Sequence, residues 1–296
     1  MKILFMGTPE FAKIFLEYLA ENNFEIAGVI TQPDKPVGRK MILTPPPVKE
    51  YANKLNIPVY QPQTLKNESF FELLKNINPD IIVVVAYGQI LPKNIIDYPK
   101  YGCVNVHGSL LPKYRGASPI NAAIINGEKI TGVTTIFMDY GIDTGDIILK
   151  EEVEIGENET FGELHNKLAQ IGGKVLGETI NQIKNGTAKR EEQSEENASK
   201  VGKINNDMCE IDWNLPAKKI HDKIRGLSPI PAAFTWLNGK KLKIYKSRIS
   251  NDGIVELLEV QLEGGKRMSA GDFINGRKNA ECDEREGSVF KFSRKL

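Results

Sequence analysis

Apolar residues follow two kinds of pattern over residues 1–186 of this chain. Continuous apolar runs predict strands, and stretches with an apolar residue at every third or fourth position predict helices. The predicted strands are Lys2 to Met6, Phe24 to Thr31, Val59-Tyr60, Asp80 to Ala86, Gly102 to His107, Ile130 to Met138 and a further strand reaching Ile155. The predicted helices are 11–21, 48–55, 69–76, 119–126 and 160–184. Strands alternating with helices predict an α/β domain with a doubly wound, mainly parallel sheet.

The pattern changes near residue 187. Residues 187–206 are polar and nearly free of large apolar side chains, which is typical of a linker. A helix from Pro216 to Arg225 follows, and then short alternating runs separated by Asn238-Gly239, Asp252-Gly253 and Gly264-Gly265. Turns at this spacing predict a small antiparallel β-barrel, which we expect to be OB-like. We therefore divide the chain into an α/β domain at 1–186, a linker at 187–206 and a barrel at 207–296.

Composition limits where this chain acts. No apolar run approaches the roughly 20 residues of a membrane span, and Met1-Lys2 lead directly into a strand without a secretory leader. We therefore expect a soluble, cytoplasmic monomer that contacts no membrane. Three widely spaced cysteines, Cys103, Cys209 and Cys282, argue against a disulfide framework or a zinc site, and we expect no metal.

Charge is uneven along the chain although its net value is only +1. Residues 207–296 contain 17 Lys and Arg against 13 Asp and Glu, whereas the rest of the chain is slightly acidic. An excess of this kind indicates a polyanionic partner, although a solvated surface is the commoner explanation. The candidate contacts are Lys218, Lys219, Lys240, Lys241 and Lys243. Residues 32–47, with Arg39 and Lys40, show no regular pattern and predict a long functional or disordered loop.

Candidate chemistry lies at the end of the strand Gly102 to His107. Side chains alternate along a strand, so Asn105 and His107 point to the same side. The following Gly-Ser turn places them at the carboxyl end of the strand, where ligands bind in parallel sheets. The acidic loop 139–146 follows the next strand and brings Asp143 to the same place. The alternative is a polar pair that only satisfies the backbone at the end of a buried strand.

A resemblance extends these observations. Asn105-x-His107 with Gly-Ser-Leu-Leu-Pro, the loop Asp143-Thr144-Gly145-Asp146 and the opening Met6-Gly7-Thr8-Pro9-Glu10-Phe11 resemble the folate-dependent formyltransferases. The motifs Gln32-Pro33-Asp34-Lys35-Pro36, Ala86-Tyr87-Gly88-Gln89 and Arg225-Gly226-Leu227-Ser228-Pro229 are similar to the branch whose acceptor is methionyl-tRNA. The resemblance covers nearly the whole chain, but the tail 279–296 matches none of its patterns.

The resemblance implies a Rossmann-like formyltransferase fold and transfer of a formyl group from 10-formyltetrahydrofolate to the α-amine of initiator Met-tRNA. Asn105 and a protonated His107 suit an oxyanion as hydrogen-bond donors, and Asp143 suits the orienting group and base. The implied folate pocket contains Tyr87, Gln89, Ile90, Leu91, Ser109, Leu110, Leu111 and Pro112. With a tRNA as the implied acceptor, the candidate RNA contacts are Arg39, Lys40 and the five lysines that the charge distribution indicates.

Three other functions stay open at this point. One is a pure RNA-binding or regulatory module with an inert α/β domain. The second is a formyltransferase acting on a nucleotide sugar or another amine, and the third is a formyltetrahydrofolate hydrolase. No G-x-G-x-x-G follows the first strand and no P-loop motif occurs, so dinucleotide and P-loop functions lose their main support.

Overall fold

The computed structural model describes residues 1–38 and 40–276. The strands are β1 Ile3–Gly7, β2 Ile26–Ile30, β3 Lys35–Val37, β4 Ile42–Thr44, β5 Val59–Tyr60, β6 Ile81–Val85, β7 Cys103–His107, β8 Arg115–Gly116, β9 Ile130–Phe137, β10 Ile147–Glu154, β11 Lys200–Val201, β12 Ala233–Leu237, β13 Lys240–Ile249, β14 Val255–Leu262 and β15 Met268–Ser269. The helices are α1 Glu10–Glu21, α2 Pro47–Lys54, α3 Glu68–Ile77, α4 Lys93–Ile96, α5 Pro119–Ile125, α6 Phe161–Asn185, α7 Ala217–Leu227 and α8 Ala270–Asn275.

A seven-stranded sheet forms the centre of the first half, in the order β10-β9-β7-β6-β1-β2-β5. The pairs β2-β5, β1-β2, β1-β6 and β6-β7 are parallel, and β7-β9 is antiparallel. Every residue of Ile81–Val85 is buried, as its continuous apolar sequence predicts. The mainly parallel sheet with connecting helices is therefore confirmed.

The prediction of an irregular loop over 32–47 is wrong. Lys35–Val37 and Ile42–Thr44 pair as an antiparallel hairpin, with Val37 opposite Ile42. Each strand has only three residues and neither has a buried face, so the alternation that reveals a strand is missing. At the base of the hairpin, Lys49 Nζ lies 2.9 Å from Asp34 Oδ1. Hydrogen bonds from Gln61 and then Lys49 hold the pKa of Asp34 below its usual value.

The predicted antiparallel strands of the last third are present as a four-stranded sheet in the order β12-β13-β14-β15. Asn238 and Gly239 connect β12 to β13 with φ values of +49° and +72°, the left-handed pair that a tight hairpin turn requires. One face of the sheet and α7 bury a common core that includes Ile220, Ile224 and Leu242. This sheet is compatible with a small barrel.

Two compact units emerge from the packing. Among the described residues, the first contains 1–38, 40–116, 132–153 and 166–200, and the second contains 117–131, 154–165 and 201–276. In the second unit α5 packs against α7, where Asn121 Nδ2 donates to the Gly226 carbonyl at 2.7 Å. A Cβ at Gly226 would lie only 2.6 Å from Ile125 Cγ1, so glycine permits this close approach. The second unit therefore includes two segments from the first half of the chain.

Several predictions concern residues outside the described ranges, namely Arg39, Cys282 and the tail 279–296. Within the described part of the chain, no helix is long and apolar enough to cross a membrane. Over the same residues, no group of three His, Cys, Asp or Glu side chains could hold a metal ion. Cys103 and Cys209 are both buried and free.

Candidate active site

Asn105, His107 and Asp143 meet at the end of β7. Asn105 Nδ2 donates a hydrogen bond to Asp143 Oδ1 at 3.2 Å, and His107 Nδ1 lies 3.5 Å from Asp143 Oδ2. The two β7 residues are two positions apart and so lie on the same strand face, and both reach one carboxylate. The site therefore combines an amide with two donors, an imidazole and a carboxylate.

His107 is held on both sides of its ring. It is only 6% exposed, and Nε2 lies 2.8 Å from the Tyr114 carbonyl oxygen. A carbonyl oxygen can only accept, so Nε2 carries a proton in this arrangement. The other ring nitrogen, Nδ1, faces Asp143 at a distance longer than a short charge-assisted hydrogen bond. The geometry thus orients the ring with Nδ1 toward the carboxylate.

Asp143 is fixed through both carboxylate oxygens. Oδ1 accepts from Asn105, and Oδ2 accepts from the Gly116 backbone N–H at 2.8 Å. The backbone of Asp143 has a φ of +55°, in the left-handed region that non-glycine residues rarely adopt. Surrounding contacts must therefore hold this residue in place.

Asp143 does not reach the site from the carboxyl end of a strand parallel to β7. β9 runs antiparallel to β7, with Phe137 opposite Val104 and Thr134 opposite His107. The chain after Phe137 therefore begins near the amino end of β7 and runs back along it before Asp143 meets His107. The Phe137 N–H donates to the Asp146 carbonyl at 2.9 Å, which closes this loop at its base.

Sequence reasoning missed four residues that hold the candidate catalytic side chains. Tyr114 and Gly116 supply backbone atoms to His107 and Asp143, and Ser199 Oγ accepts from the Tyr114 N–H at 2.8 Å. Gln193 Nε2 donates to the carbonyls of Asp143 and Gly145 at 2.9 and 2.7 Å. Tyr114 and Gly116 act through backbone groups, which residue type does not indicate. Gln193 and Ser199 lie in the segment predicted to be a linker.

The predicted folate-pocket residues divide into buried and exposed sets. Tyr87, Leu91 and Leu111 are at most 4% exposed, and burial raises the pKa of Tyr87 to about 12. Ser109 is also buried, where its hydroxyl donates to the Lys113 carbonyl, and Leu110 packs close to Gly132. Ile90 is largely exposed, Gln89 and Pro112 are half-buried, and Gln89 Nε2 reaches the Gln63 carbonyl at 3.5 Å. The predicted pocket residues with accessible side chains are therefore Ile90 and, in part, Gln89, Leu110 and Pro112.

The predicted RNA contacts also differ in their surroundings. Lys218 Nζ lies 2.6 Å from Asp222 Oδ1, and Lys243 Nζ donates to the Pro231 carbonyl at 3.3 Å. Lys241 Nζ lies over the Phe234 ring, 4.2 Å from its centroid. Lys40, Lys219 and Lys240 are exposed. The structure thus places three of the lysines in intramolecular contacts and exposes three others.

Comparison with known proteins gives the class of protein first. The Formyl transferase family model matches residues 1–180, and the model of the Formyl transferase C-terminal domain matches residues 203–252. Among solved structures, WlaRD, a sugar 3N-formyl transferase in the presence of dTDP and 5-N-formyl-THF, has a TM-score of 0.66 and 25% identity, covering 89% of this chain and 91% of that one. This chain therefore belongs to the formyl transferase family and has its fold.

Curated relatives narrow this class. A methionyl-tRNA formyltransferase of Clostridioides difficile is 48% identical, covering 93% of this chain and 97% of the relative. The methionyl-tRNA formyltransferase of Acetivibrio thermocellus is 45% identical, with coverages of 95% and 98%. This chain belongs to the methionyl-tRNA formyltransferase family.

Proposed function

We propose that this chain transfers the formyl group of 10-formyltetrahydrofolate to the α-amine of methionine on initiator tRNA, giving N-formylmethionyl-tRNA for translation initiation. The observation that carries the proposal is the meeting of Asn105, His107 and Asp143 at one point of a chain whose family performs this transfer. The protein acts in the cytoplasm as a monomer, and it uses folate as a co-substrate without a metal.

Asn105 is proposed to stabilise the oxyanion. Attack of the amine on the formyl carbon makes a tetrahedral intermediate with negative charge on the former carbonyl oxygen. An amide NH₂ has two protons, and the contact to Asp143 Oδ1 uses one. The second proton can be donated to the oxyanion. His107 is proposed to act beside it: Nδ1 lies 3.5 Å from Asp143 Oδ2, longer than a short hydrogen bond, so a proton on Nδ1 can be shared with the oxyanion.

Asp143 is proposed to orient the imidazole and to accept the proton that the attacking amine loses. The new bond joins the amine nitrogen to the formyl carbon, and the bond from that carbon to N10 of the folate breaks. N10 then takes up a proton, and tetrahydrofolate leaves. Because Asp143 is anchored by Asn105 and Gly116, it starts the reaction already oriented.

The folate is proposed to bind along the backbone from Tyr87 to Leu91, with Ser109 to Pro112 forming the adjoining wall. The formyl carbon must reach Asn105 and His107, and β6 and β7 are neighbouring parallel strands whose carboxyl ends carry these two stretches. Thr8 Oγ1 donates to the Tyr87 carbonyl at 3.0 Å and so fixes the start of the first stretch.

The tRNA is proposed to contact the exposed hairpin of β3 and β4 and the basic residues of the last third. Val37, Ile42 and Leu43 are more than half exposed, and apolar side chains can wedge between base steps. Lys40, Lys219 and Lys240 offer charge to phosphates, with Arg39, Lys218, Lys241 and Lys243 as further candidates. The division into a catalytic domain at 1–186, a linker at 187–206 and an OB-type barrel at 207–296 belongs to this proposal.

An acceptor assay tests the reaction. The full chain is incubated with 10-formyltetrahydrofolate and one of three acceptors: initiator Met-tRNA, a dTDP-amino sugar or water alone. We expect rapid release of tetrahydrofolate only with Met-tRNA, together with formylmethionine in the hydrolysed product. Turnover with the amino sugar would favour the nucleotide-sugar function, and turnover with water alone would indicate a hydrolase.

A further inference from the structure

The groups that orient both catalytic side chains come from one short segment. The Tyr114 carbonyl accepts from His107, and two residues later the Gly116 N–H donates to Asp143. This segment is itself held by residues 193–199. Ser199 Oγ accepts from the Tyr114 N–H, and the Ser199 carbonyl accepts from the Arg115 N–H at 2.8 Å. Residues that look like a linker in the sequence therefore support the active site.

Gln193 connects this segment to the loop of Asp143. Its side-chain oxygen accepts from Arg115 Nε at 2.9 Å, while its Nε2 donates to the carbonyls of Asp143 and Gly145. It is only 7% exposed, so water does not compete strongly for these bonds. One side chain thus bonds to both pieces of chain that define where the Asp143 carboxylate stands.

The left-handed backbone of Asp143 explains why such a brace is needed. Aspartate adopts this conformation more readily than most non-glycine residues, but it is still uncommon, so contacts around the loop help to hold it. Gly145 lies so close to Phe137 that a Cβ there would meet the Phe137 carbonyl oxygen. The two carbonyls that Gln193 binds are those of Asp143 itself and of this crowded glycine.

Arg115 completes the brace. Its guanidinium is 1% exposed, and Nη1 lies 2.8 Å from Glu195 Oε1, though not aligned as a hydrogen bond. A buried cation requires nearby acceptors, and Gln193 supplies one to Nε. The amide of Gln193 is therefore oriented: its oxygen faces Arg115 and its NH₂ faces the two carbonyls.

We propose that Gln193 is a positioning residue for formyl transfer, acting through the Asp143 loop without contacting either substrate. This proposal rests on the proposed role of Asp143. It assigns a catalytic consequence to a residue of the predicted linker, and it predicts that the amide NH₂, rather than the size of the side chain, is required.

The test uses Gln193→Glu in the full chain. The substitution keeps the size of the side chain and an acceptor for Arg115. It removes both donated hydrogen bonds, because a carboxylate then faces the two carbonyl oxygens. We expect kcat for Met-tRNA formylation to fall about 10- to 100-fold, the scale of a small misplacement of a catalytic group, with KM for both substrates nearly unchanged. Glu192→Gln makes the opposite exchange at an exposed neighbour and serves as the control.

A double variant shows whether Gln193 acts through Asp143. In an Asp143→Asn background, Gln193→Glu should cost almost nothing further, because the group it positions has already been removed. Unchanged kcat in folded Gln193→Glu, or an equal decrease in both backgrounds, would overturn the proposal while leaving Asp143 in place. Wild-type activity of Asp143→Asn alone would instead overturn the proposed function.

Folding is monitored by thermal unfolding of each variant. If Gln193→Glu does not fold, Gln193→Met takes its place, since it has similar length and neither donates nor accepts strongly. Loss of the fold in both variants would mean that Gln193 is only structural, which also overturns the proposal.

Discussion

At the scale of single residues, the hydrogen bonds that Asn105 can donate predict that its replacement strongly reduces turnover. Asn105→Ala removes the proposed oxyanion donor together with the contact to Asp143 Oδ1. We expect turnover to fall about 10²- to 10³-fold, and the same for His107→Ala, with folate affinity nearly unchanged. Rapid-quench kinetics and calorimetry measure the two quantities. Asn53→Ala, an exposed asparagine at the end of α2, is the control. Normal turnover in either variant would remove that residue from the mechanism.

Asp143→Asn tests the charge of the carboxylate separately from its shape. An asparagine has one acceptor oxygen, so either Asn105 or the Gly116 N–H is left without its partner. The amide also cannot accept a proton from the amine. We expect loss of most activity at pH 7, measured as initial rates at saturating tRNA and folate. Rates close to wild type would show that Asp143 only shapes the loop.

The meeting of these three residues could be anticipated because each has a clear local signal. Asn105 and His107 follow from strand alternation, and Asp143 lies in an acidic turn after the next strand. The atoms that orient them could not be anticipated. The Tyr114 carbonyl and the Gly116 N–H are backbone groups, and Gln193 is brought in by tertiary packing from a polar stretch without pattern.

At the scale of helices and strands, buried elements were predictable and exposed ones were not. Ile81–Val85 has a continuous apolar sequence because both of its faces are covered. The hairpin of Lys35–Val37 and Ile42–Thr44 has neither a buried face nor the length to show one. The antiparallel direction of β9 was also hidden, since the apolar content of a buried strand is the same in either direction.

Helix α7 contains a histidine whose burial predicts a pH dependence of stability. His221 is 3% exposed, with Nδ1 2.9 Å from Ser247 Oγ, and burial lowers its pKa below the usual 6.5. The unfolded chain therefore binds this proton more readily than the folded one. Above about pH 6.5 the imidazole is uncharged in both states and does not reduce the free energy of unfolding. As the pH falls below that value, the unfolded chain takes up the proton first, and the free energy of unfolding decreases.

We expect His221→Gln to lessen this loss of stability between about pH 6.5 and 5, measured as the free energy of unfolding in urea at each pH. His165→Gln changes a half-buried histidine of α6 and is the control. An equal pH dependence in wild type and His221→Gln would show that the burial of this imidazole does not affect stability.

At the scale of the whole molecule, the basic excess of the last third predicts salt-dependent tRNA binding. Only part of this excess lies in the described residues, since 277–296 contribute six basic and four acidic side chains. For a single strand, the plot of log affinity against log salt should flatten by roughly 0.7 for every phosphate that the protein no longer neutralises. Removing two exposed lysines, Lys219→Gln with Lys240→Gln, should therefore flatten it by about 1.4.

A salt titration of tRNA binding by fluorescence anisotropy measures this slope. The pair Lys54→Gln with Lys66→Gln, both exposed and in the first unit, removes the same charge and is the control. An unchanged slope in the Lys219 and Lys240 variant, or an equal change in the control, would mean that these lysines only solvate the surface.

The sequence shows that the character of the chain changes along its length, but not which segments pack together. The sequence pattern changes near residue 187, whereas the first compact unit continues to residue 200 and the antiparallel sheet begins at Ala233. The pattern does not reveal that 117–131 and 154–165 pack with the last third. In that unit, Arg225 Nη1 donates to the carbonyls of Gly156 and Glu159 at 3.2 and 3.1 Å. Every residue has a backbone carbonyl, so the sequence does not indicate which of them Arg225 contacts.

The central claim is that this chain formylates the methionine of initiator tRNA in particular. Its most direct test is single-turnover kinetics of the full chain with 10-formyltetrahydrofolate, comparing initiator Met-tRNA with elongator Met-tRNA by mass spectrometry of the released amino acid. We predict rapid, complete conversion of methionine to formylmethionine on the initiator and almost none on the elongator. Equal rates on both tRNAs, or no formylmethionine on either, would contradict the claim.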